Sequence, residues 1–301
     1  MGSKPKIGII GLGIMGGAMA THLLDSGYEV YGYDTDAKAK TRLKKQGGKA
    51  LKDVQSVGQQ ADILITSLPN AQALNQVVKD FTANSTRLKF AATVLIETST
   101  LPIADKVACA KQLKSLGITA LDCPITGTVD QLKNREWSIF ASGPRKTYQQ
   151  ALQVLQAFTD KTPYMGAYGS GTKMKFVANH LVAIYNVAYA ESVTLARKMG
   201  LDPREVLKLF GNSPILGTGV MRSRMAMMVT RKYSPPTMKV EVWQKDMAII
   251  SDMAKSVHCP TPLFTTSADI YTAAMAQGLA LEDTASTAEV LSSMAGIKRK
   301  N

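Results

Sequence analysis

The sequence predicts an α/β protein: an N-terminal, doubly wound parallel sheet followed by an all-α C-terminal domain. Two observations predict this class. In the first half of the chain, short apolar runs alternate with segments whose apolar residues have helical spacing, a pattern typical of strand–helix–strand crossover units. In the second half, residues 172–199 contain neither proline nor glycine and carry apolar residues every three or four positions. They predict one long interdomain helix, which joins a sheet domain at 1–164 to a helical domain at 165–301.

The strands are predicted from apolar runs that end at glycine or polar residues. In chain order they are residues 7–10, 29–33, 63–66, 93–97, 118–121 and 138–141. Helices are predicted between and after them, at residues 15–24, 103–116, 203–210, 243–254 and 263–277. The first of these helices is followed by Ser26 and Gly27, a normal helix stop. We expect no ordered structure for the basic tail at 297–301.

Composition excludes several classes of protein. The chain is 45% apolar and 20% charged, as in ordinary globular proteins, so neither a disordered nor a fibrous chain is expected. The apolar runs stay short of the ~18 residues that cross a membrane, and no basic-then-apolar leader precedes the first strand. Cys109, Cys123 and Cys259 are too widely spaced for a disulfide framework or a zinc site, and they suit a reducing compartment. We therefore expect a cytoplasmic protein with no membrane partner and no metal.

The formal net charge of +13 raises the question of nucleic-acid binding. The basic excess is divided almost equally between the two predicted domains, so it forms no single basic stripe. Its densest cluster, at residues 38–45, has the spacing of a solvated helix face. No nucleic-acid partner is expected, although a diffuse positive potential attracts a small anionic substrate or cofactor.

A glycine-rich turn follows the first predicted strand and opens the first helix. Its residues are Gly11, Leu12, Gly13, Ile14, Met15 and Gly16. The first glycine permits the tight bend, the second lets the backbone approach a pyrophosphate, and the third brings helix and strand close together. The amides at the start of the helix and its positive dipole end then bind the phosphates. The pattern predicts a Rossmann-type dinucleotide site.

Asp34 ends the second predicted strand. A carboxylate at this position can accept both ribose hydroxyls of the cofactor, and it repels a 2′-phosphate. The sequence therefore predicts NAD as the cofactor, with NADP less favoured. Lys38 and Arg42 lie nearby in the sequence and can soften that preference by attracting a phosphate.

Lys175 and Asn179 are four residues apart near the start of the long helix, so they share one of its faces. Such a pair is common on solvated helices, but the neighbouring residues here are apolar and would bury most of this turn. A lysine ammonium in a cleft can donate a proton to a developing alkoxide or accept one from an alcohol. Lys173 cannot face the same cleft, because two residues turn a helix by about 200°.

Ser99 and Thr100 directly follow the strand at 93–97. Open α/β sheets bind their ligands at this carboxyl end of the strands. The alternative interpretation is that one of these hydroxyls caps the helix that begins near Ile103.

Four motifs in order along the chain resemble those of the 3-hydroxyacid (β-hydroxyacid) dehydrogenases. They are the opening signature at residues 9–20, Asp122-Cys123-Pro124-Ile125-Thr126-Gly127, the stretch from Gly169 to Asn179, and Lys245-Asp246. The family includes 3-hydroxyisobutyrate dehydrogenase and tartronate semialdehyde reductase, and 6-phosphogluconate dehydrogenase is a larger relative. The resemblance covers the whole chain.

The resemblance implies a hydride transfer between NAD(H) and a small 3-hydroxy acid or its semialdehyde, with Lys175 as general acid and base. It also implies a role for each matching residue. Substrate contacts are expected from Ser99, Thr126, Gly127 and Asn179, and cofactor contacts from Leu68, Pro69, Thr100 and Lys245 in addition to the glycine-rich turn and Asp34. The C-terminal domain would contribute to the substrate cleft and to oligomerisation, since members of the family are dimers or tetramers.

The chain departs from the family pattern at two places. Thr128 stands where many members have a second glycine, and the segment at 129–137 is bulkier and more polar than usual, so the substrate pocket can differ. His180 replaces a second asparagine, and a lone histidine on a helix is more often structural than catalytic. Two alternatives remain: an imine reductase, against which the retained Lys175 argues, and a non-catalytic dinucleotide-binding protein.

Oligomerisation is also predicted from the long helix itself, which is apolar on more than one side. Ile184, Val187, Tyr189 and Val193 lie away from the face of Lys175 and need cover. We expect a homodimer or a homotetramer.

Overall fold

A computed structural model describes residues 4–83 and 89–299. The chain divides into two compact units, Met1–Lys175 and Phe176–Asn301, and the division falls inside one long helix. The first unit contains a parallel sheet with flanking helices and the second is helical, so the predicted fold class is confirmed. Positions 300 and 301 of the expected basic tail lie outside the described residues.

The main sheet is parallel, and within the described residues it has six strands. They are β1 (Ile7–Ile10), β2 (Val30–Tyr33), β3 (Lys49–Ala50), β4 (Ile63–Thr66), β5 (Val94–Glu97) and β6 (Thr119–Asp122), in the spatial order β3-β2-β1-β4-β5-β6. The order reverses on the two sides of β1, which is the topological switch point of a doubly wound sheet.

The central strands β1, β4 and β5 are buried at every position and mostly apolar, because both faces of the sheet are covered. Alternate residues of each strand enter different cores. In β1, Ile7 and Ile9 pack into one hydrophobic cluster, and Ile10 packs into another. In β4, Ile65 belongs to the first cluster and Leu64 to the second.

Two strand predictions differ from the structure. β3 was not predicted, because it is only two residues long and has no apolar run; it joins the sheet by pairing with Tyr31 and Gly32. The predicted strand at 138–141 does not belong to the parallel sheet. Its first two residues form β8 (Ser138–Ile139), which pairs antiparallel with β7 (Ile125–Thr126).

The helices of the first unit follow the strands. They are α1 (Ile14–Asp25), α2 (Ala37–Lys45), α3 (Val54–Gln60), α4 (Ala71–Thr82), α5 (Ile103–Lys114), α6 (Val129–Lys133) and α7 (Arg145–Phe158). Three of them begin at polar N-caps whose side chains accept backbone amides: Asp36, Asp53 and Asn70. α6 lies inside the segment that departs from the family pattern, and Thr128 and Gln131 form a capping box at its start.

The second unit begins at Phe176, inside α8 (Ser170–Lys198). This is the predicted long helix, and it is about 44 Å long at 1.5 Å per residue. The remaining elements of the second unit are α9 (Pro203–Phe210), a π-helix (Met221–Met225), α10 (Ala226–Thr230), α11 (Val240–Ser256), α12 (Pro262–Ala276), a 3₁₀-helix (Thr284–Ser286) and α13 (Thr287–Met294). Its core contains Ala190, Val193 and three methionines of the π-helix and α10.

The apolar face of α8 on which the oligomer prediction depended is covered within its own unit. Val187 and Val193 are buried, and Ile184 and Tyr189 are half-buried. The second unit therefore supplies much of the cover that these four residues need, and they do not by themselves indicate an oligomer. The exposed apolar side chains of α8 are others: Met174, Val177, Leu181, Tyr185 and Leu195.

Across residues 4–83 and 89–299, no helix is both long enough and apolar enough to span a membrane. Within the same ranges, no group of three or more His, Cys, Asp and Glu side chains is arranged to hold a metal ion.

Candidate active site

The glycine-rich turn lies between β1 and α1, as predicted, and two of its glycines are required by packing. Gly11 has φ +91°, and a Cβ there would lie 2.2 Å from the Ser67 carbonyl oxygen. A Cβ on Gly16 would lie 1.9 Å from the Gly11 carbonyl oxygen. Any side chain at either position would push the helix away from the turn. These two glycines therefore allow α1 to begin directly against the strands.

Gly13 differs from both, because a Cβ there would meet no described atom within 4 Å. Gly13 is the N-cap of α1, where no described side chain bonds to the cap, and the next residue, Ile14, is 77% exposed. A cavity of about 470 Å³ adjoins this helix start and is lined by Leu12, Gly13, Ile14 and Arg42 among others. An open helix N-terminus beside a cavity suits an anion, so these residues fit a dinucleotide pyrophosphate.

Asp34 ties the end of β2 to the glycine-rich turn. Its Oδ2 accepts the Leu12 amide at 2.6 Å, and its Oδ1 accepts the Asp36 amide at 2.8 Å. A carboxylate has about four acceptor positions, so both oxygens can still accept a ribose hydroxyl. Arg42 reaches the same turn, since its Nη2 lies 3.4 Å from the Leu12 carbonyl oxygen. A carboxylate and a guanidinium therefore stand together where the cofactor's ribose is expected.

Ser99 is buried at the carboxyl end of the sheet, and its hydroxyl, its amide and its carbonyl all make hydrogen bonds. Its Oγ accepts the Leu68 amide at 2.8 Å, so its hydroxyl proton remains to be donated elsewhere. The alternative interpretation is wrong: the N-cap of α5 is Pro102, and no described side chain makes the capping bond there. Leu68 and Pro69 follow β4 at the same sheet edge, and Thr100 follows Ser99.

Lys175 lies in the second turn of α8, and its Nζ is 3.5 Å from Thr126 Oγ1. Lys175 is half-buried, whereas Lys173 is exposed. The structure therefore brings together two residues that the sequence predicted for one site, from segments 49 residues apart.

Gly127 follows Thr126 with φ +144°, and a Cβ there would lie 2.3 Å from Trp137 Cδ1. Trp137 is fully buried and donates its Nε1 proton to the Thr128 carbonyl at 2.6 Å. The unusual segment at 129–137 therefore ends in a buried tryptophan ring, and the missing side chain at Gly127 leaves room for that ring. The backbone that follows Thr126 is held in place by this packing.

In the second unit, Asn179 lies one helical turn beyond Lys175 in sequence and is buried. Its Nδ2 donates to Asp246 Oδ2 at 2.9 Å, and Lys245 Nζ lies 3.3 Å from Asp246 Oδ1. Because Asn179 Nδ2 donates to the Asp246 carboxylate, its side-chain carbonyl oxygen points to a different side, where it can accept a hydrogen bond. Asp246 was not among the predicted site residues, although the Lys245-Asp246 motif was the signal that could have indicated it. His180 stacks on Phe264 with ring centroids 5.1 Å apart.

Lys106 was not singled out from the sequence either. It is buried, and its Nζ lies 2.6 Å from Glu97 Oε2 and 2.5 Å from Asp122 Oδ1. Burial by itself lowers the pKa of Lys106, but Glu97 and Asp122 outweigh burial and raise that pKa above its usual value. The ammonium is therefore charged, and it joins the ends of β5 and β6.

Both units match known families. Residues 6–166 match the NAD-binding domain of 6-phosphogluconate dehydrogenase, and residues 169–291 match the NAD-binding domain of NADP-dependent 3-hydroxyisobutyrate dehydrogenase. The first match alone covers more than half of the chain.

Individual proteins are similar along almost the whole chain. L-threonate dehydrogenase of Escherichia coli K12 is 28% identical over 97% of this chain and 96% of that protein. 2-(Hydroxymethyl)glutarate dehydrogenase of Eubacterium barkeri is 27% identical over 97% and 96%. The crystal structure of 3-hydroxyisobutyrate dehydrogenase from Salmonella typhimurium has a TM-score of 0.84 at 25% identity and covers 95% of this chain and 100% of that one. The predicted enzyme class, a dinucleotide-dependent oxidoreductase of hydroxy acids, is confirmed. This chain belongs to the 3-hydroxyacid dehydrogenase family.

Proposed function

We propose that the protein transfers a hydride between NAD(H) and a small 3-hydroxy acid or its semialdehyde, with Lys175 as the general acid and base. The observation that carries the proposal is the pairing of Lys175 Nζ with Thr126 Oγ1 at 3.5 Å. It places an ammonium beside a segment that the family resemblance assigns to the substrate. When bound, the nicotinamide ring supplies or accepts the hydride. The residues of the chain must then bind the substrate and move one proton.

Lys175 moves that proton. As a carbonyl is reduced, negative charge develops on its oxygen, and the Lys175 ammonium donates a proton there; in the oxidation, the neutral amine takes it back. Thr126 and Asn179 can hydrogen-bond to a substrate but are poor proton donors at neutral pH. Lys173 is exposed, which supports Lys175 over its rival.

The substrate is proposed to be anionic, with its carboxylate bound by hydrogen-bond donors. Ser99 has a hydroxyl proton to donate, because its oxygen already accepts the Leu68 amide. Thr126 offers a second hydroxyl, and Gly127 a backbone amide. Asn179 offers an acceptor for a substrate hydroxyl. Two of the similar proteins are named for the oxidation of a hydroxy acid, L-threonate and 2-(hydroxymethyl)glutarate.

The cofactor is proposed to bind along the glycine-rich turn, with the pyrophosphate at the start of α1. Leu68, Pro69 and Thr100, at the ends of β4 and β5, and Lys245 of the second unit complete the proposed contacts. NAD is preferred because the Asp34 carboxylate meets the ribose hydroxyls and repels a 2′-phosphate. Arg42, which lines the cavity at this turn, reduces the preference without reversing it.

A homodimer or homotetramer is proposed from the exposed side chains of α8. Met174, Val177, Leu181 and Tyr185 follow one another at three- and four-residue spacing and are all exposed. A second copy of the chain would bury this stripe. A cytoplasmic location is proposed from Cys109, Cys123 and Cys259, which are all free thiols.

The test of the proposed function is turnover with a panel of hydroxy acids and both NAD and NADP. The panel includes phosphorylated and sulfonated three-carbon acids, because the segment at 129–137 departs from the family pattern. Reduction of the nicotinamide with at least one 3-hydroxy acid is expected. NADH binding without turnover of any acid would instead identify a non-catalytic dinucleotide-binding protein.

A further inference from the structure

We propose that Lys106 is a positioning residue of the reaction, whose buried ammonium holds both Ser99 and the start of α8 in the places that the chemistry needs. The proposal rests on the proposed function, because it assigns to Ser99 and Lys175 the roles given above. Lys106 itself touches no reacting atom. It acts through two carboxylates, those of Glu97 and Asp122.

Four groups surround the Lys106 ammonium. Besides Glu97 and Asp122, it donates to Thr172 Oγ1 at 2.9 Å and to the Ser99 carbonyl at 3.0 Å. Lys106 is only 1% exposed, and the side chains of Glu97 and Asp122 are equally enclosed. A lysine on α5 is thus the common partner of β5, β6 and α8.

The Asp122 branch fixes the start of α8. Asp122 Oδ2 accepts the Thr172 amide at 2.8 Å and the Ser142 hydroxyl at 3.0 Å, and its Oδ1 accepts the Thr172 hydroxyl at 2.5 Å. The Gly171 amide donates to Ser142 Oγ at 3.0 Å. One amide of the first turn is therefore bound directly to Asp122 at the end of β6, and a second is bound to Asp122 through the Ser142 hydroxyl. Lys175 follows Thr172 by less than one turn, so its backbone is held by the same bonds.

The Glu97 branch fixes Ser99. Glu97 Oε1 accepts the Ser99 amide at 2.9 Å, while Lys106 binds the Ser99 carbonyl. The peptide groups on both sides of Ser99 are thus held by one ion pair. The backbone that carries the Ser99 side chain is therefore fixed on both sides of its Cα.

The cluster carries one net negative charge, since two carboxylates face one ammonium. Cys109, Cys123 and Tyr168 lie close enough to interact electrostatically with members of the cluster. Burial raises the pKa of the Cys109 thiol to about 11, and burial raises the pKa of Cys123 and of Tyr168 as well, so all three are protonated. Asp105, also on α5, is half-buried, and Lys175 lies on α8. Loss of the ammonium would therefore leave Glu97 and Asp122 with no buried cation between them.

Stability alone does not explain this arrangement. A buried ion cluster is often no more stable than apolar side chains of the same volume, because desolvation offsets the attraction. A buried cluster does impose fixed directions on its partners. Here the partners are the peptide groups of Ser99 and the first amides of α8.

The test is the substitution Lys106→Met, which keeps most of the length of the side chain and removes its charge. Two buried carboxylates are then left without their cation, so the affinity of the pair for a proton rises. Above neutral pH we expect kcat to fall by about 10- to 100-fold, since a displacement of about 1 Å costs up to that factor. As the pH is lowered and the carboxyl pair gains its proton, kcat should partly recover. The Kd of NADH should stay within about threefold.

Two further variants test whether the loss of kcat comes from the uncompensated carboxylates. Glu97→Gln/Lys106→Met removes the same ammonium but leaves only one carboxylate, so the pH dependence should disappear and part of kcat should return. Lys111→Met makes the same substitution at an exposed position of the same helix and should leave kcat unchanged. Faster amide hydrogen exchange at residues 170–176 in Lys106→Met is the expected readout that does not depend on activity.

The outcomes are distinct. An unchanged kcat in folded Lys106→Met, a loss that is equal at every pH and is not relieved by Glu97→Gln, or a parallel loss of NADH binding would each overturn the inference. If Lys106→Met does not fold, Thr172→Val and Thr172→Ser decide: the valine should lower kcat, and the serine should restore it. Turnover that survives Lys175→Ala would refute the proposed function instead, whereas exchange at 170–176 would still report on Lys106.

Discussion

Two helices, α1 and α8, begin in the first unit near the carboxyl ends of parallel strands, but the amides at their N-termini have different partners. At α1 the N-cap is Gly13, no described side chain bonds to it, and a cavity adjoins the first turn. At α8 the buried carboxylate of Asp122 accepts the Thr172 amide, and Ser142 accepts the Gly171 amide. A helix N-terminus attracts negative charge in either case. The chain supplies that charge at α8 and leaves it to a ligand at α1.

The comparison indicates that the two helix starts have different functions. The start of α1 is suited to the phosphates of a cofactor because its amides are accessible. At the start of α8, the Gly171 and Thr172 amides already have side-chain acceptors. The attachment of this turn to β6 gives Lys175 a defined position. The following predictions test this difference, from the largest expected effect to the smallest.

Lys175→Ala should lower turnover by about 10²–10⁴-fold, the usual contribution of a general acid. The affinity for NADH should remain within a few-fold, because Lys175 does not belong to the glycine-rich turn. Steady-state kinetics and NADH fluorescence titration measure the two effects. Lys173→Ala is the control and should change turnover little; if it is Lys173→Ala that abolishes turnover, the assignment of the lysine is wrong.

Asp122→Asn should destabilise the protein by about 1.5–3 kcal/mol, since hydrogen bonds from α8 to a buried charged group are weakened. Urea unfolding measures the change. Asp36→Asn is the matched control: it alters an N-cap that is exposed, at α2, and asparagine caps as well as aspartate, so the stability should change little. Equal effects of the two substitutions would contradict the inference that the buried Asp122 carboxylate stabilises the start of α8 more than an exposed N-cap stabilises α2.

Gly13→Ala should leave the melting temperature nearly unchanged, because a Cβ at Gly13 meets no described atom within 4 Å and the backbone φ is −63°. The affinity for NADH should nevertheless fall by about tenfold, or ~1.4 kcal/mol, since the methyl group occupies the space of the phosphates. Gly16→Ala should lower both quantities, because its Cβ would lie 1.9 Å from a carbonyl oxygen. Unchanged NADH affinity in Gly13→Ala would place the phosphates elsewhere.

The catalytic efficiency should be higher with NAD than with NADP, since Asp34 repels a 2′-phosphate. Asp34→Asn should reduce that ratio by about tenfold, as one repulsive charge is worth ~1–2 kcal/mol at short range. Arg42→Ala should change the ratio in the opposite direction. A wild-type enzyme that works better with NADP would show that Arg42, and not Asp34, decides the choice.

The thiols should differ in reactivity without an effect on turnover. Cys259 is exposed and should react first with a thiol reagent. The pKa of Cys109 is raised to about 11 by burial, so at pH 8 only ~10⁻³ of it is the reactive thiolate, and its reaction should accelerate as the pH rises toward that value. Mass spectrometry of the labelled protein follows each site. Cys259→Ser should remove the fast phase, and labelling of Cys123 in the folded protein at pH 8 would contradict its burial.

The place of several candidate site residues in the fold could be predicted because their sequence signals are local. Glycines at 11, 13 and 16 act within one turn, and the pair of Lys175 and Asn179 is defined by one helix. The strand β3 was not predicted because it has no local signal. Its two residues form a strand only because they pair with Tyr31 and Gly32 of β2. Asp246 was not predicted because its partner Asn179 lies 67 residues away.

The sequence by itself determined the fold class, the glycine-rich turn and the place of Lys175 near the start of the long helix, because hydrophobic period and glycine spacing act over a few residues. Only the tertiary structure decided which charges are buried. Glu97, Lys106 and Asp122 each look like an ordinary surface charge in the sequence, and Thr172 lies 66 residues beyond Lys106. They meet because parallel strands bring their carboxyl ends to one edge of the sheet, and no local pattern records the burial that makes their charges matter.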